Sequence, residues 1–531
     1  MADTDTIRIS SPDNKIVCIL NVPEKGQMSY SVEFDDKLVL NESQLGIKTD
    51  KSDFGINVLV DSVKRNSHNE NYQIMGVSSF AKDYYNQLVL YINNTTNDFK
   101  FQLEIRAYND GVAYRYRIPG SKQHQVEGES SQWNLPAGST IWYNTDYEEY
   151  HKHAKLKEIK DSTAVMPLVV ELPNMEGFLA LTEGNLVNYP GSRFSFTGNN
   201  TLQLILYERP VITGMIVTPW RLTIISKDLN GLVNSNLVTN VCPPPLPELE
   251  DAEWINPGRA VWSWWAEQTV GPEAQKRYTD MAVELGFEFN VIDGGWEDWP
   301  DAWNALEDVV KYSRKKNVDI WVWKHSKDLT DKAVRVEFFK RLKAIGVVGV
   351  KIDFFPPETL GTINYYEDIL KETAELKLMV NFHGTNKPTG LNRTWPHQMT
   401  HEGICGQEWH ITRYNRTEPL AQGTILPFTR FLVGPGDYTP CALIPSELRG
   451  FTWPHEFAEA VIYTSPLQHF ADNPKYYLEN PGKDLIKTMP TVWDETIVLP
   501  GSIIGEVAAF ARRKGKMWYV AVLLSLIHIS E

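Results

Sequence analysis

Through the first 240 residues, apolar positions come in short alternating or continuous runs, among them 37–40, 88–92, 99–108 and 112–118. Turn signals at Asn93-Asn94, Asn109-Asp110-Gly111 and Pro119-Gly120 separate them. A period of two broken by Asn, Gly and Pro predicts strands, and so many strands bury one face each by packing sheet on sheet. Segment 166–182, MPLVVELPNMEGFLALT, reads as two strands that deliver Glu183 at a sheet edge. The cluster Cys242-Pro243-Pro244-Pro245-Leu246-Pro247 continues neither a helix nor a central strand, because proline lacks the amide donor and fixes φ.

Past this cluster the pattern changes. Apolar runs that read as strands buried on both faces, at 260–265, 289–293, 319–323, 348–353 and 378–382, alternate with helical periodicity such as 272–285 and 331–345. These are five βα repeats; further strands at 399–403, 429–433 and 467–470 bring the number to eight, enough to close a (β/α)8 TIM barrel. After 490 the chain returns to short strands with Gly turns and ends in LSLIHISE, with no closing partner strand. The expected organisation is multidomain, α/β plus all-β: an N-terminal β-sandwich over 1–241, a linker over 242–258, a barrel over 259–489 and a truncated C-terminal β-sheet domain over 490–531.

Composition narrows the partners. With 52 basic and 67 acidic side chains the net charge is -15, which disfavours nucleic acid and anionic membranes. Seventeen Trp and 23 Tyr suit the C–H faces of sugar rings, although large cores use the same residues. The four cysteines, Cys18, Cys242, Cys405 and Cys441, form no C-x-x-C pair, so neither a zinc ribbon nor a disulfide framework is indicated. No apolar run reaches the length of a membrane span, and residues 1–11 lack the basic and apolar regions of a secretory signal. Phosphate-cradling glycine loops, HExxH and the nucleophile elbow are all missing, which leaves nucleotide and zinc-peptidase chemistry without support.

Barrel enzymes place their chemistry at the C-terminal ends of the strands. The polar residues there are Asp293, Lys324, His325, Asp353, His383, Glu402 and Glu408. Two carboxyl groups facing one cavity are what glycosidic cleavage requires. Asp353 is the candidate nucleophile: it ends a buried run, and Lys351, two positions earlier on the same face, would keep it ionised. Glu402 and Glu408 lie in the Gly-interrupted segment THEGICGQEW, and several acids crowded there call for a hard cation. Each feature also has a plainer reading. Asp353 can cap its loop, the two glutamates can be solvated, His325 and His383 can be packing residues rather than sugar ligands, and Trp264, Trp265, Trp296 and Trp299 can be core rather than a stacking wall.

The segments VMPLVVELPNMEGFLALTEGNLVNYPG, WSWW, GFEFNVIDGGWE, VGVKIDFF, PTGLNRTWPHQMTHEGICGQEW and PTVWDETIVLPG together resemble glycoside hydrolase family 97, the bacterial α-glucosidases and α-galactosidases. The resemblance covers nearly the whole chain. It implies a front β-supersandwich, a barrel, a C-terminal β domain and a catalytic Ca2+ held by Glu183, Glu402 and Glu408. It implies Asp353 and Glu408 as the catalytic pair; the strand-end residues Lys351, His325, His383 and Asp293 are the expected substrate-binding groups. Inverting members carry a base glutamate after the fifth strand, where this chain has Gly384; retaining members carry an aspartate after the fourth, where it has Asp353. The expected activity is therefore that of a retaining α-galactosidase, periplasmic or extracellular. An α-glucosidase, a transglycosylase and a non-catalytic carbohydrate-binding protein are the alternatives.

Overall fold

A computed structural model describes residues 4–414, 418–448 and 450–525; the ending from Leu526, which the sequence shows without a closing partner strand, lies outside them. The front of the chain forms an eight-stranded and a ten-stranded sheet, the latter containing the long hairpin Val58–Gln73 with Phe80–Asn94. Alternating side chains of both sheets meet in one core, as the period-two pattern requires. Trp133 of the first sheet ties into the second, its indole N–H donating to Thr223 at 2.9 Å. The strand Phe178–Gly184 is not at an edge. It lies between Leu168–Glu171 and Trp220–Ser226, so Glu183 is fully buried opposite Arg221. The covering strand arrives 38 residues later, a pairing that no local pattern reveals.

The barrel contributes seven parallel strands: β1 Gly258–Trp262, β2 Phe289–Ile292, β3 Asp319–His325, β4 Gly349–Asp353, β5 Met379–Phe382, β6 Gln398–His401 and β7 Leu467–Phe470, in the order β6-β5-β4-β3-β2-β1-β7. Helices α1 Pro272–Leu285, α2 Ala302–Arg314, α3 Lys332–Ile345 and α4 Leu360–Glu375 cover the outside. Their ends follow local chemistry. Pro272 opens α1, the Asp331 carboxylate caps α3 by accepting from Val334 N at 3.0 Å, and Gly286 and Gly346 stop α1 and α3 at positive φ.

The seventh expected strand, at 429–433, is instead a 3-10 turn, Arg430–Val433. The backbone coils around the buried Arg430 guanidinium, which donates to the carbonyls of Gly403 at 2.9 Å, Glu402 at 2.6 Å and Gly434 at 2.9 Å. These carbonyls flank the segment on both sides, at 402–403 and 434, so the chain between closes around its own guanidinium instead of running extended. Among the described residues, nothing pairs β6 with β7, and the coil after β6 fills that side.

Inside the barrel, alternate residues stack: Ala260 and Trp262 from β1, Phe289 and Val291 from β2, Trp321 from β3, Met379 from β5 and Met399 from β6. Gly349 leaves room for Trp321, whose ring lies 2.5 Å from where a Cβ would stand. With its lower position given to that indole, β4 turns Lys351 and Asp353 inward, while Val350 and Ile352 pack outward with Phe339, Leu342 and Ile363. A small sheet of Glu495–Val498, Val507–Lys514 and Met517–Leu524 follows. Among the described residues no helix is long and apolar enough to cross a membrane.

Sandwich and barrel are tied by ions. Arg393, between β5 and β6, donates to Asp83 at 2.8 Å and to the Asn240 carbonyl at 3.0 Å, and lies 3.8 Å over Tyr72. An Arg393→Met protein is expected to lose about 3 kcal/mol of unfolding free energy in a denaturant titration, because Asp83 stays buried without its cation. Unchanged stability would show that this tie carries no structural load.

Candidate active site

At the C-terminal end of the strands opens a cavity of about 420 Å³, lined by Asp293, Trp323, Lys351, Asp353, His383, Glu402 and Glu408 among others. This lies within the range of roughly 300–1,000 Å³ usual for small-ligand sites. The larger space, of about 590 Å³, lies by Arg393 and Pro466, at the opening end of β7 and away from these acids. Barrel logic and titratable chemistry both favour the smaller one.

Asp353 ends β4. Its Oδ2 accepts from the Trp323 indole at 2.9 Å, and its Oδ1 from the Phe354 amide at 2.7 Å. Burial pushes its carboxyl up, but His383, Lys351 and the Trp323 hydrogen bond outweigh that and hold it down at about 2. The group is a carboxylate at any ordinary pH. Lys351, at the next inward position down β4, is buried; its ammonium donates to Asp293 at 3.0 Å and lies 3.5 Å from Glu408. Burial lowers this ammonium's pKa, and Asp293, Glu408 and Asp353 more than reverse the effect. Asp293 is fixed in turn by the Trp262 indole and the Gly294 amide, both at 2.7 Å.

His383 follows β5 and faces four carboxylates. Its Nδ1 lies 3.1 Å from Glu402 and 3.5 Å from Asp353; its Nε2 lies 3.6 Å from Glu408 and 3.7 Å from Asp437. Burial works against the imidazolium, yet Glu402, Glu408 and Asp353 raise its pKa well above the ordinary value. Glu402 also accepts from the Gly384 amide at 2.6 Å. Burial pushes its carboxyl well up, with Glu148, Glu408 and Asp353 adding to the rise against His383. His383, Glu402 and Glu408 bring ligand atoms within 4.8 Å of one another and could hold a metal ion. A second such group, His68, Glu70 and Asp83, already has the Arg393 guanidinium against two of its members.

Glu183 does not join this cluster. Its oxygens accept from Lys387 at 2.7 Å, from the Ser192 hydroxyl at 2.6 Å and from Arg221. Burial pushes its carboxyl up, but Lys387 and Arg221 bring it below the ordinary value. A carboxylate between two buried cations is already compensated, and Glu183 is not among the residues that line the cavity. The sandwich residue that does reach the cavity is Glu148, held by the Trp409 indole at 3.0 Å. Sequence reasoning missed it because it stands in an irregular polar stretch, DYEEYHKH, where periodicity assigns nothing.

The remaining candidates divide. His325 lies outside the cavity lining; its Nδ1 accepts from Lys327 N at 3.2 Å, and its ring lies 5.1 Å from that of Phe354. Trp264 lines the cavity, but Trp265, Trp296 and Trp299 are buried, donating to the carbonyls of Gln407, Trp323 and Val270, each at 3.0 Å. The open wall comes instead from Trp323 and Trp409. Asp437, also missed, sits beneath His383 between Asn381 at 2.7 Å and His469 at 2.9 Å. It comes from the coil that replaces the expected strand, so no strand-end rule could find it. Gly384, at φ +51, is a steric requirement: a Cβ there would stand 2.6 Å from Asp353 Oδ1.

Comparison with known proteins places this geometry. The family descriptions "Glycosyl-hydrolase 97 N-terminal", "Glycoside hydrolase 97" and "Glycosyl-hydrolase 97 C-terminal, oligomerisation" match residues 9–244, 254–404 and 492–526. A probable retaining α-galactosidase of Streptomyces bingchenggensis is 31% identical over 93% of this chain and 79% of its own length. A retaining α-galactosidase of Bacteroides thetaiotaomicron is 27% identical over 96% of this chain and 86% of its own. Among solved structures, a β-arabinopyranosidase superposes with a TM-score of 0.90 at 25% identity, over 98% of this chain and 90% of its own. A family 97 enzyme of Pseudoalteromonas sp. strain K8 in complex with acarbose shares the fold, with a TM-score of 0.88 at 23% identity, over 97% and 89%.

The contact at Gly384 yields a direct check. A Gly384→Ala protein is expected to keep its thermal midpoint within a few degrees and to lose about 100-fold in turnover, because the added methyl displaces the Asp353 carboxylate. Full activity in that variant would show that the carboxylate has room to move.

Proposed function

Because the chain belongs to glycoside hydrolase family 97, we propose that it is a retaining exo-α-galactosidase with Asp353 as nucleophile and Glu408 as acid and base. The observation that carries this reading is the contact between Asp353 and residue 384. A carboxylate held ionised at the end of β4 leaves no space for a side chain at residue 384, which argues against a glutamate base there. Two relatives named as retaining α-galactosidases support galactose as the sugar.

In the first step Asp353 attacks the anomeric carbon while Glu408 gives its proton to the departing oxygen, leaving a glycosyl ester on Asp353 and a free alcohol. In the second, water passes a proton to Glu408 as its oxygen takes the anomeric carbon, and Asp353 is released as a carboxylate. Two inversions leave the α configuration unchanged. Trp323 and the Phe354 amide fix the attacking group, while Lys351 and Asp293 present charged partners to the sugar hydroxyls.

The acids fit a hard cation. Glu402, Glu408 and Glu148 turn carboxyl groups to one cavity; burial first, and then Glu148, Glu408 and Asp353, disfavour the ionised form of Glu402, a cost that a bound cation would offset. Ca2+ suits this all-oxygen set, and when bound it supplies positive charge that orients the acids and the substrate hydroxyls. Glu148 takes the place expected of Glu183.

A β-arabinopyranoside is the second reading, favoured by the structural neighbour of that activity. β-L-Arabinopyranose repeats the ring configuration of α-D-galactose without its hydroxymethyl group, so one pocket can accept both.

Hydrolysis of p-nitrophenyl α-galactoside, α-glucoside and β-L-arabinopyranoside, followed by NMR of the first anomer released, tests the reading. The expected result is fastest release of galactose as its α anomer, lost on chelation and restored by Ca2+. β-Galactose appearing first would hand the nucleophile's part to water. In calorimetric Ca2+ titrations, Glu148→Gln is expected to weaken binding about tenfold or more, whereas Glu183→Gln lowers the unfolding midpoint and leaves affinity near that of the parent. The reverse pattern would restore Glu183 as the ligand.

A further inference from the structure

The wall of the catalytic cavity changes character from floor to mouth. Its floor is charged, formed by Asp293, Lys351, Asp353 and His383, all buried; at the mouth stands Phe354, 59% exposed. Phe354 has φ +63, a left-handed conformation that a bulky side chain adopts only when its surroundings impose it. Two hydrogen bonds do so. Its amide donates to Asp353 Oδ1 at 2.7 Å, and its carbonyl accepts from the Ser326 hydroxyl at 2.5 Å. The next residue shows the ordinary alternative: Phe355 packs inward on Tyr366 and Phe382, at 4.4 and 5.4 Å between centroids.

Burial therefore gains nothing from Phe354, and the strain of its backbone turns an apolar ring toward solvent. The ring is supported. The His325 ring lies 5.1 Å from it, and Trp323, which holds Asp353, lies 6.5 Å away. An aromatic surface thus runs from the nucleophile to the mouth of the cavity, past the point where the scissile bond must lie. Sugar rings present apolar C–H faces to such surfaces, while their hydroxyls suit the charged floor.

We infer that Phe354, backed by His325, is the platform for the leaving group, so that the enzyme's substrates are α-galactosides whose aglycone is itself a sugar ring; this rests on the galactosidase reading above. His325 then serves the substrate through Phe354 and not by direct contact with the galactose.

The test compares kcat/KM for α-galactosyl-(1→6)-glucose with that for α-galactosyl fluoride, which carries no sugar aglycone. Phe354→Asn removes the ring while keeping the amide donor, and asparagine tolerates the left-handed backbone. The ratio of disaccharide to fluoride is expected to fall about three- to tenfold in Phe354→Asn, to fall less in His325→Ala and to recover in Phe354→Trp. An unaltered ratio in Phe354→Asn, including an equal fall on both substrates, would overturn the platform. A parent enzyme that leaves α-galactosyl fluoride intact would overturn the galactosidase reading itself, and this inference with it.

Discussion

Everything at the mouth of the barrel depends on one electrostatic problem: four carboxylates, Asp353, Glu402, Glu408 and Asp437, converge on the single imidazole of His383. Removed from water, such a group is tolerable only where cations or protons balance it. The chain supplies two cations, His383 and Lys351, and distributes them unevenly. Asp353 receives both together with two hydrogen bonds and stays ionised; at Glu402 burial and the neighbouring acids Glu148, Glu408 and Asp353 outweigh His383 and favour the protonated carboxyl. This inequality leaves two acids of one cavity in different states, Asp353 held ionised and Glu402 pushed toward its neutral form.

A similar balance joins the two large parts of the molecule. Glu129, Arg221, Glu183, Lys387 and Glu358 alternate in sign from the sandwich into the barrel, with Tyr147 donating to Glu358 at 2.6 Å. Each buried charge has an opposite neighbour, so the series fixes how the front sheets meet the barrel. That placement brings Glu148 to the cavity. Glu183 and Glu148 both come from the sandwich, but the first holds the parts together and the second faces the chemistry.

The strands of the first five βα repeats were legible in the sequence because they are short, mostly apolar runs buried on both faces; α1 matched its expected bounds because Pro272 and Gly286 mark them chemically. Asp353, Lys351, Asp293 and His383 were legible for the same reason, as polar interruptions at strand ends. The segment 429–433 looked equally strand-like, yet Arg430 gathers carbonyls from two stretches of chain, 401–403 and 434–435, and coils it. Trp265, Trp296 and Trp299 could not be told from a sugar-stacking wall, since an indole does either task and only its surroundings decide which.

What the sequence determined by itself is what depends on near neighbours: the strand and helix periods, the caps, the strand-end acids, and the glycine that clears space beside Asp353. What the tertiary structure decided is which charges meet. Glu183 and Glu148 are both acids of the sandwich, and nothing local distinguishes them. Their roles part only because Arg221 and Lys387 reach one and the cavity reaches the other. Electrostatic energy depends on distance in space and on burial, and neither is written along the chain.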